Sequence, residues 1–298
     1  MVFIKKNKNN LNGVLLINKP VNLTSADIVS ILKKKLNPIK IGHTGTLDPK
    51  AQGLLIIVLG EATKLVNYFM DLPKEYIFEI QLGEQKDTDD IEGVTIAKTN
   101  HYPSYNEFID IIPNYLGCIP QTPSKYSAIK INGDRAYTLS RNNIDFIVPS
   151  RNITIHSLKL LNYNTNTKKI TFIASVSKGT YIRTLALDIC KSLNTLGYLS
   201  YLNRISIGKF QNNNFISFNK INNDILLKSI IKIEDILDDI PGIIVDKEDA
   251  EKIMKGNLTL PIDLGFKKDL FKVIYNNKLI SLIDGKQHPY KILRNFNH

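Results

Sequence analysis

The chain has 298 residues, 43% hydrophobic and 22% charged, which suits a globular protein with a sizeable core and argues against a disordered one. Lys and Arg exceed Asp and Glu to give a net charge of +11 and a pI near 9.4, an imbalance that favours a polyanionic partner, either nucleic acid or an acidic membrane surface. Cys118 and Cys190 form no C-x-x-C pattern, no apolar run approaches the roughly 20 residues of a membrane span, and Met1 to Asn10 lacks the apolar stretch of a signal peptide; the expected compartment is the cytoplasm.

Gly13 to Ile17 reads as a short strand leading into Asn18-Lys19-Pro20. A helix follows over Ser25 to Leu36, capped by Thr24 or Ser25, with Ile28, Ile31, Leu32 and Leu36 on one face. Leu54 to Leu59 is an unbroken apolar run, the pattern of a strand buried on both faces. Ala62, Leu65, Val66 and Phe69 mark a second helix, and Tyr76 to Leu82 alternates as a half-buried strand does. Ser104 and Glu107 form a capping box for a helix carrying Phe108, Ile111, Ile112, Tyr115 and Leu116, with Gly117 as its stop.

Strands are predicted over Asn152 to Asn162 and Lys169 to Ser177, a helix over Thr180 to Leu193, and a strand over Tyr198 to Phe210. Gln211 to Asn214 and the charged stretch Lys232 to Asp239 interrupt the pattern, and Pro241-Gly242 is the best boundary signal. Beyond it come a strand at Ile243 to Val245, a helix at Lys247 to Lys255, a hairpin around Asn276-Asn277 and a strand at Tyr290 to Phe296. Strands and helices mix without βαβ alternation, which predicts an α+β fold with a mostly antiparallel sheet flanked by helices. The predicted division is a main domain over 1–240 and a small β-rich domain over 241–298.

The segment with the most chemical content is Gly42-His43-Thr44-Gly45-Thr46-Leu47-Asp48-Pro49-Lys50-Ala51-Gln52-Gly53-Leu54-Leu55. It sets one carboxylate, Asp48, before a proline that favours extended backbone, at the entrance to a core strand. Neither the G-x-x-x-x-G-K-[ST] nor the G-x-G-x-x-G order is present. Asp87-Thr88-Asp89-Asp90-Ile91-Glu92-Gly93 begins like a calcium loop but puts Ile91 and Glu92 where a ligand and the turn glycine belong, so no metal is expected. Three further segments stand out: Lys74-Glu75-Tyr76, the basic stretch Pro123 to Lys130 around Tyr126, and Gly179-Thr180-Tyr181-Ile182-Arg183. Taken singly, each has an ordinary structural explanation.

Together these segments resemble the bacterial tRNA pseudouridine-55 synthases of the TruB family. The pattern G-H-x-G-x-L-D-P-x-A-x-G-x-L is matched at every fixed position from Gly42 to Leu55; K-x-Y falls at Tyr76 and G-T-Y-I-R at Gly179 to Arg183. Asn18-Lys19-Pro20 and Tyr126-Ser127-Ala128 agree as well, so the likeness covers roughly Asn12 to Phe210 and is weaker beyond. Lys86 stands where relatives usually have threonine, and Asn203 replaces the first of two arginines after Leu202.

The resemblance implies a pseudouridine synthase-like catalytic domain with an RNA-contacting loop at about 122–150, and a short PUA-like RNA-binding domain at the C-terminus. It implies isomerisation of uridine 55 in the T loop of tRNA by a flipped-base route, with no cofactor, no membrane, no required protein partner and a monomeric enzyme. Asp48, Tyr76 and Arg183 are the implied catalytic residues. Asp48 would act as nucleophile or base, Tyr76 would stack the base, and Arg183 would supply the counter-charge, shared with Asp90. His43, Tyr181 and Leu202 would bound or hold the substrate. Lys19, Lys125, Lys130, Lys178 and Arg204 are candidate phosphate contacts. A tRNA-binding protein without turnover, and a synthase guided to another RNA by partner proteins, are the competing expectations.

Overall fold

The structure, a computed structural model, describes residues 8–127, 129–131, 133–142, 144–211, 215–258, 270–286 and 290–297. Ala128 and Asn212 to Asn214, singled out in the sequence, lie outside the described residues.

The chain opens with β1 (Gly13–Lys19), α1 (Ser25–Leu36), β2 (Ile41–His43) and β3 (Gln52–Leu59), then a 3-10 turn (Gly60–Leu65) that passes into α2 (Val66–Asp71). Next come β4 (Lys74–Leu82), the ribbon β5 (Glu84–Lys86) and β6 (Thr95–Lys98), α3 (Tyr105–Ile111) and β7 (Gly117–Gln121). A small excursion holds β8 (Lys130–Ile131), β9 (Asp134–Arg135) and α4 (Ala136–Arg141). The sheet then resumes with β10 (Arg151–Asn164), β11 (Lys169–Val176), α5 (Ile182–Ser192), β12 (Gly197–Ile207), β13 (Phe210–Gln211) and β14 (Ile216–Ser217). After α6 (Asn223–Lys228) and α7 (Ile233–Ile236), the chain enters a second sheet with β15 (Gly242–Ile244), α8 (Lys247–Met254), β16 (Leu270–Tyr275), β17 (Lys278–Asp284) and β18 (Lys291–Asn295).

Among the described residues the main sheet runs β14-β1-β3-β12-β4-β11-β10-β7, with β2 on β3 and β13 on β12. Its pairings are antiparallel except β1 with β14 and β12 with β3. This is the mixed, mainly antiparallel α+β sheet expected, accompanied by a small C-terminal sheet in the order β15-β16-β17-β18.

Burial explains why the strands carry different patterns. On one face of β1 and β3, Leu15, Ile17, Leu55 and Ile57 pack against Ile28, Leu32 and Leu36 of α1. On the other face Val14, Leu16, Leu54 and Ile56 pack against Ala62, Leu65 and Phe69, against Leu279 and Leu282 of the C-terminal sheet, and against Phe296 just beyond it. Covered on both sides, these strands are apolar without alternation. β4 and β11 bury one face, with Phe78 and Phe172 stacked at 5.5 Å between ring centroids, and alternate accordingly.

Some boundaries move for local reasons. The helix predicted to run to Leu116 ends at Ile111, because Pro113 turns the chain into 3-10 conformation; Gly117, at φ 87°, opens β7 instead of stopping a helix. The second helix begins as a 3-10 turn, and α5 starts at Ile182, leaving Tyr181 as its N-cap residue.

At Gly53 β3 lies directly against β12, in register with Arg204. Its φ is 105°, and a Cβ there would lie 2.3 Å from the Arg204 carbonyl oxygen and 2.4 Å from Asn203 Oδ1. Gly53→Ala is therefore expected to destabilise the chain by about 3 kcal/mol, combining backbone strain with overpacking. A urea-unfolding midpoint equal to that of the unsubstituted chain would contradict this.

Candidate active site

The Asp48 loop joins β2 to β3 and is tied down along its length. Ser25, at the start of α1, accepts a hydrogen bond from the Leu47 N–H at 2.9 Å and donates to the Leu47 carbonyl at 3.2 Å. The Asn22 N–H donates to the Pro49 carbonyl at 2.8 Å, and the Ala51 N–H to that of Asp48 at 3.0 Å. Fixing the backbone on both sides of Asp48 fixes where its side chain starts, so little ordering remains for a substrate to impose.

Two cations predicted to reach RNA phosphates are instead committed inside. Lys19 is 0% exposed, and its ammonium donates to the carbonyls of Pro20, Leu23 and Pro49 at 2.9, 2.6 and 3.3 Å. Burial brings its pKa down to about 8, with the nearby Asp48 charge working in the opposite direction. Arg204 is also buried and donates to the carbonyls of Leu54 at 2.7 Å and Gly45 at 3.1 Å. Both brace the loop from beneath, because carbonyls of a tight loop need donors that water cannot supply there. Lys125, Lys130 and Lys178 remain at the surface, Lys125 and Lys178 beside Asp145 and Asp71.

Arg183 sits in the first turn of α5, an unfavourable place for a cation, and its side chain is only 7% exposed. Four groups compensate. Nε lies 3.0 Å from Asp48 Oδ2, an ion pair without hydrogen-bond alignment, while Nη2 donates to Asp48 Oδ1 at 3.5 Å. Nη2 also donates to the Tyr126 carbonyl at 3.2 Å, and Nη1 to that of Thr88 at 3.3 Å. Asp90 stands further off, at 3.8 Å from Nε. Its Oδ1 is occupied by the Thr88 hydroxyl at 2.7 Å and the Glu92 N–H at 3.0 Å. Asp48 is thus the principal counter-ion, and its own side chain stays 37% exposed at the surface of the cleft.

Tyr76, on β4, pairs with Arg204 of β12 and Ala174 of β11, and packs in one cluster with Leu47, Ala51, Ile182 and Leu202. It is 9% exposed, so its ring is largely covered. A bulge in β12 between Leu199 and Tyr201 brings Leu202 to the cleft beside Asp48, lined also by Asp90 and Ile91. This cleft measures about 20 Å³, room for about one water. It is not a preformed nucleoside pocket.

His43, on β2, accepts a 3.4 Å hydrogen bond from the Gly45 N–H through Nδ1. The backbone groups of Tyr181 are held by Gln121, a residue the motif reading passed over. The carbonyls of Thr88 and Tyr126 were also invisible in sequence, since a carbonyl is a ligand any residue type provides. Among the described residues no group of three His, Cys, Asp or Glu side chains is placed to hold a metal ion, and no helix is long and apolar enough to cross a membrane.

With this geometry in view, a family model described as the TruB family pseudouridylate synthase N-terminal domain matches residues 33–182, half of the chain. Among curated proteins the chain is similar to tRNA pseudouridine synthase B of Rickettsia bellii, 43% identical over 282 residues, covering 94% of this chain and 96% of that one. It also matches the protein of the same name from Ehrlichia ruminantium, 43% identical over 209 residues, at 70% and 71% coverage. Among solved structures it is similar to a chain in a Cbf5-Nop10-Gar1 complex, with a TM-score of 0.69 at 22% identity, covering 96% of this chain and 84% of that one. At that identity the likeness concerns the fold.

Burial, and next the Arg204 charge, lower the His43 pKa from its usual value. On acidification the unfolded chain therefore takes up this proton first, at about pH 6.5. The contribution of His43 to stability is complete above that pH and is lost as the pH falls through the folded-state value. Replacing His43 by Gln should reduce the loss of unfolding free energy between pH 7 and pH 5, measured by urea titration; an unchanged pH dependence would contradict it.

Proposed function

The chain belongs to the TruB family of pseudouridylate synthases and is an RNA pseudouridine synthase, and from that premise we propose that it converts uridine 55 in the T loop of tRNA to pseudouridine. The tRNA assignment is supported by the names of relatives 36–43% identical to the chain and agrees with the net charge of +11. The observation that carries the mechanism is the pairing of a partly exposed Asp48 with a nearly buried Arg183.

The reaction breaks the N1–C1′ bond, turns the uracil, and joins C5 to C1′; the C5 proton leaves and N1 gains one, so no net oxidation occurs. Asp48 starts it as an ionised carboxylate, either by attacking the sugar or by removing a sugar proton. Arg183 holds that carboxylate charged and oriented, and Asp90 shares the arginine at a longer distance. Asp48 is the single carboxylate of the segment Gly42 to Leu55, which weighs against the acid–base pair of ordinary glycoside hydrolysis.

The uridine must leave its stack, which costs on the order of a few kcal/mol. Stacking on Tyr76 returns about 1–3 kcal/mol. Because Tyr76 is covered and the cleft is water-sized, the base enters only as side chains around Leu202 rearrange. His43 supports the flipped conformation and Tyr181 bounds the uridine. Lys125, Lys130 and Lys178 contact phosphates, and recognition rests on the shape of the T arm and its unstacked loop. We assign residues 1–240 to catalysis, with the loop at about 122–150 reaching the RNA, and 241–298 to a small PUA-like RNA-binding unit. The enzyme works in the cytoplasm as a monomer without a cofactor or protein partner.

The test is release of tritium from tRNA labelled at uridine C5. The unsubstituted chain should release the label, and Asp48→Asn should lower the rate by about 10³-fold or more, the order of loss for a group that initiates bond cleavage. No release by the unsubstituted chain would refute the reaction on this RNA; undiminished release by Asp48→Asn would refute the role of Asp48.

A further inference from the structure

The turn that carries Tyr181 and Arg183 has no cap of its own. Tyr181 occupies the N-cap position of α5, its side chain makes no capping hydrogen bond, and its carbonyl already accepts the first helical bond, from the Leu185 N–H at 3.1 Å. A helix start without a cap frays unless another group satisfies its backbone.

That group comes from the far edge of the sheet. Gln121 of β7 is 2% exposed, and its amide grips Tyr181 at both ends: Oε1 accepts from the Tyr181 N–H at 2.8 Å, and Nε2 donates to the Tyr181 carbonyl at 3.1 Å. Its direct register partner on β10 is Arg151. The Arg151 guanidinium lies over the Tyr181 ring, 4.8 Å from its centroid, and donates through Nη2 to the Gly179 carbonyl. Gly179 sits at φ 81°, backbone that favours glycine, and this turn of the chain aims its carbonyl at the guanidinium. One cross-strand pair therefore holds the backbone of the turn with one member and the aromatic ring with the other.

We propose that Gln121 and Arg151 are positioning residues, a clamp that fixes which face Tyr181 presents to the uridine and where Arg183, two residues on, meets Asp48. With Arg151 covering one face of the ring, only the opposite face is left for substrate. Gln121 satisfies the N–H of the N-cap residue, as the returning side chain of a capping box does, so α5 begins at a fixed point and the guanidinium of Arg183 arrives at Asp48 without search. Neither residue needs to touch the RNA. The inference rests on the reading of Tyr181 and Arg183 as groups that face the uridine.

Two measurements on the full chain test it. The first is amide hydrogen exchange, which does not depend on activity: Gln121→Ala should speed exchange in residues 179–185 and leave the rest of the chain unaltered. Unchanged protection there would overturn the clamp, even if the chain proved active. The second is a double-mutant cycle in single-turnover rate on a T-arm stem-loop. Arg151→Ala should lower the rate at saturating enzyme by about 30–100-fold, the order expected for a misplaced reacting group, with RNA affinity changed less than about threefold. In a Tyr181→Leu background the same substitution should cost less than about threefold, because the ring through which it acts is gone. An equal loss in both backgrounds, or weaker RNA binding with an unchanged saturated rate, would make Arg151 a direct RNA contact and overturn the proposal. Gln121→Glu, which keeps the acceptor for the Tyr181 N–H but loses the donor, should fall between the unsubstituted chain and Gln121→Ala.

Discussion

A guanidinium removed from water needs full compensation, and that requirement at Arg183 organises much of this chain. An unpaired charge at such a site would cost several kcal/mol. The compensation comes from distant parts of the sequence: Asp48 from the β2–β3 loop, the Thr88 carbonyl and Asp90 from the acidic turn, and the Tyr126 carbonyl from the segment after β7. The arginine is thus the point where four separate segments are brought into register. Asp48 gains its orientation from a contact that also holds the surrounding fold together.

The supports beneath the site follow the same physics. Lys19 and Arg204 place their charges on the Pro49 and Gly45 carbonyls of the Asp48 loop and on the neighbouring carbonyls of Pro20, Leu23 and Leu54, rather than at the surface. Carbonyls in a loop that is neither helix nor strand have no ladder partner, and buried cationic side chains serve as donors. Lys74 does the same at the end of α2, donating to the carbonyls of Phe69, Met70 and Leu72 at 3.2, 2.5 and 2.5 Å, next to the strand that carries Tyr76. A strongly basic chain therefore spends part of its positive charge inside. Net charge alone overstates the surface offered to RNA.

Much of the fold was legible because burial leaves a period in the sequence. The unbroken run Leu54 to Leu59 is a strand covered on both faces, and the alternation from Tyr76 to Leu82 is one covered on a single face. The capping box at Ser104 and a cap at Thr24 or Ser25 marked helix starts, and the structure makes Thr24 the cap, in a box with Asp27. The short ribbon β5–β6 and the edge strand β7 left no such trace, because residues mostly open to water carry no apolar period. The carboxylate and the arginine were visible through their motifs, but their 3.0 Å approach is a tertiary fact. Lys19 and Arg204 look like surface cations in sequence, since nothing local records that a side chain turns inward. Gln121 was missed for a related reason: its partner is backbone, which has no sequence signature.

Asp48 and Arg183 act in this mechanism as one unit. The most direct measurement is a double-mutant cycle in single-turnover pseudouridine formation, comparing Asp48→Asn, Arg183→Met and the double variant. If the arginine works by holding the carboxylate, the double variant should be no slower than Asp48→Asn alone, because removing a support costs nothing once the supported group is gone. If the two losses instead multiply in the double variant, Arg183 acts independently of Asp48 and the pairing is not the centre of the mechanism.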